Sequence, residues 1–290
     1  MVPKWFSDAV SVTPKVGSVE VDGCAISFRR WGQRRKPGLV LLHGGAAHAR
    51  WWDFIAPQLM PSFDVVAVDL AGHGDSGWRP EYTLERWARD VLAVIEYAAF
   101  PSAPFVVGHS LGGMVTITMA SLAGEKLAGG VVVDSMINHN PDEPPRRTLP
   151  HTHRTYPTLE AAMARFRLIP EQPSEHAFII EYIARHSLKQ VAEGWTWKFD
   201  PRVFLNLTLE QLKAHIKTVK CRMGVMRGET SAVLSREMGN ELYELFERRA
   251  PLIEIPQSHH HLVLDQPVAF ISATRALLAD WQHSTPHSSP

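Results

Sequence analysis

The stretch Phe105-Val106-Val107-Gly108-His109-Ser110-Leu111-Gly112-Gly113-Met114 decides the fold that we predict for this chain. Its apolar start predicts a buried strand, and the apolar spacing that continues to Ala120 predicts a helix directly after it. Between the two, the pattern G-x-S-x-G puts Ser110 at the corner, with Gly108 and Gly112 leaving room for a tight, strained turn. Such a serine is exposed at the sheet edge, at the positive end of a helix. Ser110 is therefore the candidate nucleophile.

Composition limits the classes of function. The 290 residues include 30 basic and 30 acidic side chains, a formal net charge of zero. No basic surface is predicted, so we expect no nucleic-acid partner. Cys24 and Cys221 are far apart in the sequence, which favours reduced thiols over a disulfide. No apolar run has the length of a signal peptide or a membrane span. We expect a cytoplasmic protein that acts on a small molecule, without membrane association, as a monomer or homodimer.

Short apolar runs recur along the chain, and the segments between several of them have apolar residues at helical spacing. They lie at 19–21, 25–31, 39–42, 65–68, 105–107, 130–133, 221–227 and 252–255. Helical spacing is found in the segment 51–59, from Leu84 to Ala98 behind the N-cap candidate Thr83, and in the segment 267–281. Wholly apolar strands that alternate with helices predict an α/β fold with a mostly parallel, doubly wound sheet.

The alternation of strands and helices is interrupted between residues 138 and 212, where no buried strand is evident. This cap segment (residues 138–212) begins with a proline- and arginine-rich stretch at 141–150 and continues with amphipathic helical spacing at 159–168 and 175–187. We predict a helical cap inserted into a core made of residues 1–137 and 213–282. The Ser-, Pro- and His-rich tail, residues 283–290, is predicted to be disordered.

A cluster of histidines, His259-His260-His261, follows the last predicted strand. A serine hydroxyl needs a base to take its proton, and a base at a strand end can lie near Ser110. Neighbours in an extended segment point in opposite directions, so we expect one of the three to reach the serine. Adjacent histidines chelate one ion poorly, and no cysteine or carboxylate spacing supports a metal site. We expect neither a metal nor another cofactor.

Four motifs together resemble the α/β-hydrolase fold family, and the resemblance covers nearly the whole chain. They are His43-Gly44-Gly45, the pattern Asp-x-x-Gly-His-Gly-x-Ser from Asp69, the Gly-His-Ser-x-Gly-Gly turn at Ser110, and a late histidine before Leu-x-Leu-Asp-Gln-Pro. The resemblance implies a sheet with an inserted cap and a serine–histidine–acid triad.

Family resemblance also implies roles for particular residues. A Gly-His pair is usual at the late position, which aligns His259 with the glycine and makes His260 the base, with His261 as the alternative. The oxyanion hole would be formed by the backbone N–H groups of Gly45 and Leu111.

The acid is the member of the implied triad at which this sequence departs from the family. It usually follows the strand that ends near Arg227, but Ser231 and Ala232 stand where the aspartate would be. Glu229 is one alternative, from a shifted position. Asp134 ends an earlier buried strand, where a carboxylate is costly unless a partner such as histidine stabilises it. We favour Asp134 and keep Glu229 as the alternative.

A serine at the turn predicts acyl transfer, because members of this fold that open epoxides or carbon–halogen bonds use aspartate there. We expect a serine hydrolase that cleaves a carboxylic ester of a small to medium, fairly apolar substrate through an acyl-enzyme. Apolar side chains of the cap segment are expected to form the pocket wall: Phe166, Leu168, Trp195, Trp197 and Phe199. Hydrolysis of a lactone, a thioester or a β-diketone-type carbon–carbon bond is the alternative. A non-catalytic ligand-binding member of the fold is a further alternative.

Overall fold

A computed structural model describes residues 2–137, 154–205 and 209–284. The elements before the cap segment are α1 (Lys4–Ser11), β1 (Lys15–Val21), β2 (Cys24–Trp31), β3 (Gly38–Leu42), α2 (Ala56–Leu59), β4 (Asp64–Val68), α3 (Leu84–Ala98), β5 (Phe105–His109), α4 (Leu111–Ala123) and β6 (Gly129–Val133). The remaining elements are α5 (Leu159–Met163), α6 (Ala177–His186), β7 (Leu188–Val191), β8 (Gly194–Trp197), α7 (Leu209–Ile216), β9 (Met223–Gly228), α8 (Arg236–Leu245), β10 (Leu252–Ile255), α9 (Leu262–Asp265) and α10 (Pro267–His283).

One eight-stranded sheet organises the molecule, with the strand order β1-β2-β4-β3-β5-β6-β9-β10. β1 pairs antiparallel with β2, and β2 pairs antiparallel with β4, whereas the other neighbours are parallel. The predicted α/β fold with a mostly parallel sheet is confirmed.

Helices cover both faces of this sheet, because its central strands β3, β4, β5 and β6 are buried along their whole length. In β3 the side chains alternate between two cores: Val40 and Leu42 join one, while Leu39 and Leu41 join the other. The first core includes buried residues of α3, α4, α7 and α8, and the second includes buried residues of α1, α2 and α10. Alternate strand residues point to opposite faces, so both faces must be covered.

The strand order reverses between β3 and β5, which positions the candidate site. β4 lies on one side of β3, and the chain returns through α3 to place β5 on the other side. In open parallel sheets, ligands bind in the crevice outside the carboxyl ends of the strands at such a switch point. The loop after β3 carries Gly44 and Gly45, and the turn after β5 carries Ser110.

The cap segment differs from the predicted helical insertion in containing strands. β7 and β8 form a separate two-stranded antiparallel sheet, in which Leu188 pairs with Trp197. Most of their residues are only partly buried. The sequence therefore contains no buried apolar run that would predict these two strands. Helix α7 crosses the predicted boundary at residue 212, and its buried Leu212 and Ile216 join the core beside α4. The division into domains remains a prediction.

Other differences from the predicted elements are local. The segment 51–59 forms a 3-10 turn at Ala49–Trp52 and the short helix α2, because Pro57 lacks an N–H and is tolerated only in the first turn of a helix. The stretch 141–150 and residues 285–290 lie outside the described residues. Within the described ranges, no helix combines the length and the hydropathy needed to cross a membrane.

Candidate active site

Ser110 lies at the junction of β5 and α4 in a strained backbone conformation. Its φ is 54° and its ψ is −117°, a combination that L residues adopt only when their surroundings enforce it. The Ser110 N–H donates to the Val133 carbonyl at 2.8 Å, and the Ser135 hydroxyl donates to the Ser110 carbonyl at 2.7 Å. These bonds hold the turn to the end of β6. The side chain is partly exposed at the N-terminus of α4.

The glycines of the turn are required by close approaches of the backbone. A Cβ at Gly108 would clash with the Gly112 carbonyl, and a Cβ at Gly112 would lie 2.5 Å from the Leu42 carbonyl oxygen. A Cβ at Gly113 would overlap the hydroxyl of Ser135. The G-x-S-x-G spacing is thus a packing requirement of this turn as well as a chemical pattern.

His260 joins Ser110 to Asp134 in one hydrogen-bonded chain. Its Nε2 is 3.1 Å from Ser110 Oγ, and its Nδ1 is 2.9 Å from Asp134 Oδ1. The ring of His261 makes no hydrogen bond with Ser110 or Asp134, and the side chain of His259 contacts Asp265 instead. The structure therefore brings together His260, rather than its two neighbours, with Ser110 and Asp134.

Asp134 is fully buried, and its carboxylate has partners on every side. Oδ1 accepts from the Ser231 hydroxyl at 2.6 Å as well as from His260, and Oδ2 accepts from the Gly228 N–H at 2.7 Å. Such a buried carboxylate needs these donors, because without them its desolvation would be uncompensated. The Asp134 backbone also adopts a positive φ of 48°.

Glu229, the alternative acid, is directed elsewhere. It is exposed, and its Oε2 accepts from the backbone N–H of Gln257 at 2.7 Å. Ser231 occupies the position where the family pattern led us to look for an acid, and it donates to Asp134. Ser231 is unexpected for the family at this position, and its hydrogen bond to Asp134 was not predicted from the sequence.

Gly45 and Leu111 both present backbone N–H groups that donate to no described residue. Leu111 begins α4, so its N–H has no intrahelical acceptor. The loop before Gly45 lies against the turn, since a Cβ at Gly44 would be 3.2 Å from Ser110 Cβ. Two unpaired donors beside a serine suit the stabilisation of a developing oxyanion.

Two histidines, His109 and His261, lie beside His260 and are uncharged near neutral pH. Burial, followed by the nearby His260, lowers the pKa of His109 to about 3, and the same causes, with burial the larger, lower the pKa of His261 well below its usual value. The His109 Nε2 donates to the His260 carbonyl at 2.9 Å, which helps to fix the backbone of that loop.

Among the described residues, these three histidines also form the one group of three or more potential metal ligands. Their available ring nitrogens lie within 4.8 Å of one another. Both nitrogens of His260 are already engaged with Ser110 and Asp134. An ion bound here would therefore compete with the Ser110–His260 hydrogen bond.

Gln172 and Asp265 restrain the histidine loop. Asp265 belongs to the Leu-x-Leu-Asp-Gln-Pro motif, but the contacts of these two residues with the loop were not predicted from the sequence. The Gln172 amide donates to the Asp265 carboxylate at 2.9 Å, and its oxygen accepts from the His261 N–H at 2.9 Å. Asp265 Oδ2 also accepts from the His259 N–H at 2.8 Å. Because Gln172 belongs to the cap segment, this link between distant elements has no local signal in the sequence.

A cavity of about 710 Å³ lies between the loop after β3 and the cap segment. Its lining includes Gly45 and His261 but not Ser110 or His260, so the cavity adjoins the hydrogen-bonded chain rather than containing it. Four of the five apolar residues expected from the cap segment are present, namely Phe166, Leu168, Trp197 and Phe199, whereas Trp195 is not among the lining residues. A cavity of this size and lining can hold a small to medium organic molecule.

Comparison with known proteins agrees with this architecture. Residues 39–273 match the model of the alpha/beta hydrolase family. The chain is 28% identical over 276 residues to Esterase Rv0045c of Mycobacterium tuberculosis, covering 91% of this chain and 89% of that protein. It is 29% identical over 245 residues to a pimeloyl-[acyl-carrier protein] methyl ester esterase of Chromobacterium violaceum, covering 82% and 92%.

A solved structure of one of these relatives has the same fold. A crystal structure of the esterase Rv0045c from Mycobacterium tuberculosis matches with a TM-score of 0.72 and 26% identity, covering 94% of this chain and 95% of that one. With most of the chain matched by the family model, and with the turn, the sheet order and the switch point described above, the chain belongs to the alpha/beta hydrolase family.

Proposed function

We propose that this chain is a serine hydrolase that cleaves a carboxylic ester of a small to medium, fairly apolar substrate through an acyl-enzyme on Ser110. One observation carries the proposal: His260 is within hydrogen-bond distance of both Ser110 Oγ, at 3.1 Å, and Asp134 Oδ1, at 2.9 Å. A nucleophile, a base and an orienting carboxylate in that order are the requirements of acyl transfer.

That the chain hydrolyses ester bonds rests on its family rather than on the geometry of the site. The chain is a hydrolase that acts on ester bonds, as its family membership and the esterases related to it along most of their length indicate. What the proposal adds is the nucleophile, the partners of that nucleophile and the kind of substrate.

In the first half of the proposed reaction, Nε2 of His260 takes the proton of Ser110 Oγ as this oxygen attacks the ester carbonyl. The negative charge that forms on the carbonyl oxygen is stabilised by the N–H groups of Gly45 and Leu111. His260 then gives its proton to the leaving alcohol, and the carbon–oxygen bond to that alcohol breaks. An acyl-Ser110 ester remains.

In the second half, water replaces the alcohol. His260 removes a proton from the water, whose oxygen attacks the acyl carbonyl, and then returns the proton to Ser110 Oγ as the acid is released. Asp134 accepts from Nδ1–H of His260 throughout, which keeps Nε2 available as the base and stabilises the imidazolium.

The test is hydrolysis of p-nitrophenyl esters of increasing acyl length by the wild type and Ser110→Ala. We expect kcat/KM to fall by about 10⁴-fold or more in Ser110→Ala, since the acyl-enzyme cannot form. A fluorophosphonate probe should label the wild type and leave Ser110→Ala unlabelled.

Ser102→Ala is the matched control, because Ser102 is an exposed serine outside the site. Its activity and labelling should equal those of the wild type. Turnover that persists in a folded Ser110→Ala variant, or a folded wild type that neither hydrolyses any ester nor reacts with the probe, would refute the proposal.

A further inference from the structure

We propose that the cavity selects substrates that carry an anionic group remote from the bond to be cleaved, and that this group is bound by Arg154, Arg165 and Arg167. The inference rests on the proposed function, because it adds a substrate class to the same site. The ligand chemistry is a carboxylate or a phosphate attached to an otherwise apolar ester.

The charge of the cavity wall is the first observation. Of the described residues that line the cavity, three are arginines and none is acidic. The whole chain has equal numbers of basic and acidic side chains, so this excess is local. The other described lining residues are mainly apolar and aromatic, including Trp51, Phe166 and Trp197. Field lines from fixed charges are focused in a cleft with apolar walls.

The second observation is that no carboxylate among the described residues pairs with these arginines. Among the described residues, the guanidinium groups of Arg154 and Arg165 have no hydrogen-bond or ion-pair partner, and Arg167 donates only to the carbonyls of Ala164 and Phe166. The buried arginines of the core, by contrast, are each paired with a carboxylate, as in Arg29–Asp53. Within the described parts of the chain, no carboxylate uses the donors of these three side chains, which can therefore bind an anionic ligand.

Two other polar side chains of the wall, His261 and Ser187, add no charge to it. Burial keeps the pKa of His261 well below its usual value, so this ring is neutral at physiological pH. The Ser187 hydroxyl donates to the Ile183 carbonyl at 2.8 Å and contacts His48 Nε2 at 3.0 Å, which uses its donor. The arginines are thus the main source of recognition for a charged group.

The position of the arginines determines where on the substrate the anion would lie. All three belong to the cap segment, whereas Gly45, whose N–H donates to no described residue, lies on the core side of the same cavity. An ester with its carbonyl at Gly45 and its remainder in this cavity would place that remainder beside the cap segment. Two sources supply an anion there: a terminal carboxylate on the acyl chain, or a phosphate on the leaving group.

The first experiment compares two p-nitrophenyl esters of equal acyl length, the neutral hexanoate and the adipate half-ester, whose far end is a carboxylate. After spontaneous hydrolysis is subtracted, we expect the wild type to prefer the half-ester by about tenfold in kcat/KM. Each of Arg154→Gln, Arg165→Gln and Arg167→Gln should remove about threefold of that preference, since these side chains are exposed to solvent. Hexanoate turnover should stay within about twofold.

Arg185→Gln is the control, because Arg185 is an exposed arginine of α6 that does not line the cavity. It should leave both substrates unaffected. Raising the ionic strength to about 0.5 M should reduce the preference for the half-ester in the wild type, because exposed charges are then strongly screened.

A second pair of substrates distinguishes the two sources of the anion. Hexanoyl-coenzyme A carries phosphates on its leaving group, and the hexanoyl thioester of N-acetylcysteamine is its neutral counterpart. If the arginine variants selectively slow the coenzyme A thioester, the anion is a phosphate of the leaving group. If they selectively slow the adipate half-ester, it is a carboxylate of the acyl chain.

Failure of this inference and failure of the proposed function give different results. Equal rates for both members of each pair, or preferences that the arginine variants do not alter, would overturn the anionic site while Ser110-dependent hydrolysis of hexanoate stands. If no ester is hydrolysed, calorimetric titration of Ser110→Ala with monomethyl adipate and methyl hexanoate decides the matter. Equal binding of the two would overturn the inference, and tighter, arginine-dependent binding of the half-ester would support it.

Discussion

The ends of β6 and β9 are neighbours at the carboxyl edge of the sheet, yet the carboxylates that they carry differ in burial and in hydrogen-bond partners. At the end of β6, Asp134 is fully buried and accepts hydrogen bonds from His260, Ser231 and the Gly228 N–H. At the end of β9, Glu229 is exposed and accepts from the backbone of Gln257. The end of β6 therefore holds the carboxylate of Asp134 against His260, whereas the carboxylate of Glu229 at the end of β9 points away from His260.

The two strand ends bring side chains to one point, since Ser231 and His260 both contact Asp134 Oδ1. Ser231 on the β9 side lies 2.6 Å from Asp134 Oδ1, so both strand ends reach the same point beside His260. A histidine needs one carboxylate at Nδ1, and its catalytic use does not depend on the strand that supplies it. The serine at 231 adds a donor where a second carboxylate would repel the first.

Replacing Asp134 by asparagine should produce the largest effect. The amide keeps the shape of the side chain but not the charge that selects the Nδ1–H tautomer of His260. We expect kcat/KM toward a p-nitrophenyl ester to fall by about 10³- to 10⁴-fold. Circular dichroism should confirm a folded variant. Activity within tenfold of the wild type would contradict the assignment of the acid to β6.

Moving the carboxylate should recover part of that loss. In the double variant Asp134→Asn with Ser231→Asp, the new side chain starts from the β9 side of the same point. We expect kcat/KM to rise by about 10- to 100-fold over Asp134→Asn alone, a partial gain because the geometry is not optimised. No gain in a folded double variant would show that the two strand ends are not interchangeable.

Removing the hydroxyl of Ser231 should have a moderate effect. Ser231→Ala leaves Asp134 Oδ1 with one fewer donor, so we expect the free energy of unfolding to fall by about 2 kcal/mol and kcat by about fivefold. Ser231→Thr retains the hydroxyl and is the matched control. Denaturant titration and steady-state kinetics measure both effects, and an unchanged Ser231→Ala variant would argue that this hydrogen bond does not restrain Asp134.

Changing Glu229 should have the smallest effect. Glu229→Gln retains an oxygen that can accept from the Gln257 N–H, so we expect kcat/KM within about twofold of the wild type. The same ester assay serves for this variant and for Asp134→Asn. A larger loss in Glu229→Gln than in Asp134→Asn would return the acid to the β9 side.

Local chemistry in the sequence predicted most of the core. Thr83, for example, caps α3 as expected by accepting from the Arg86 N–H at 3.2 Å, and the strand–turn–helix around Ser110 forms where the glycine spacing requires it. Such features depend on residues a few positions apart. The hairpin of β7 and β8 was missed because its partly buried strands lack an apolar run.

The sequence by itself determined the parallel sheet, the turn at Ser110 and the family, since glycine spacing and apolar runs act over short distances along the chain. The family resemblance favoured His260 and Asp134, but only the tertiary structure decided that His260 lies against Ser110 and that Asp134, rather than Glu229, lies against His260. His260 lies 150 positions from Ser110 and 126 from Asp134. Contacts at that separation depend on how strands are ordered and how loops close over the sheet edge, and no local pattern encodes either one.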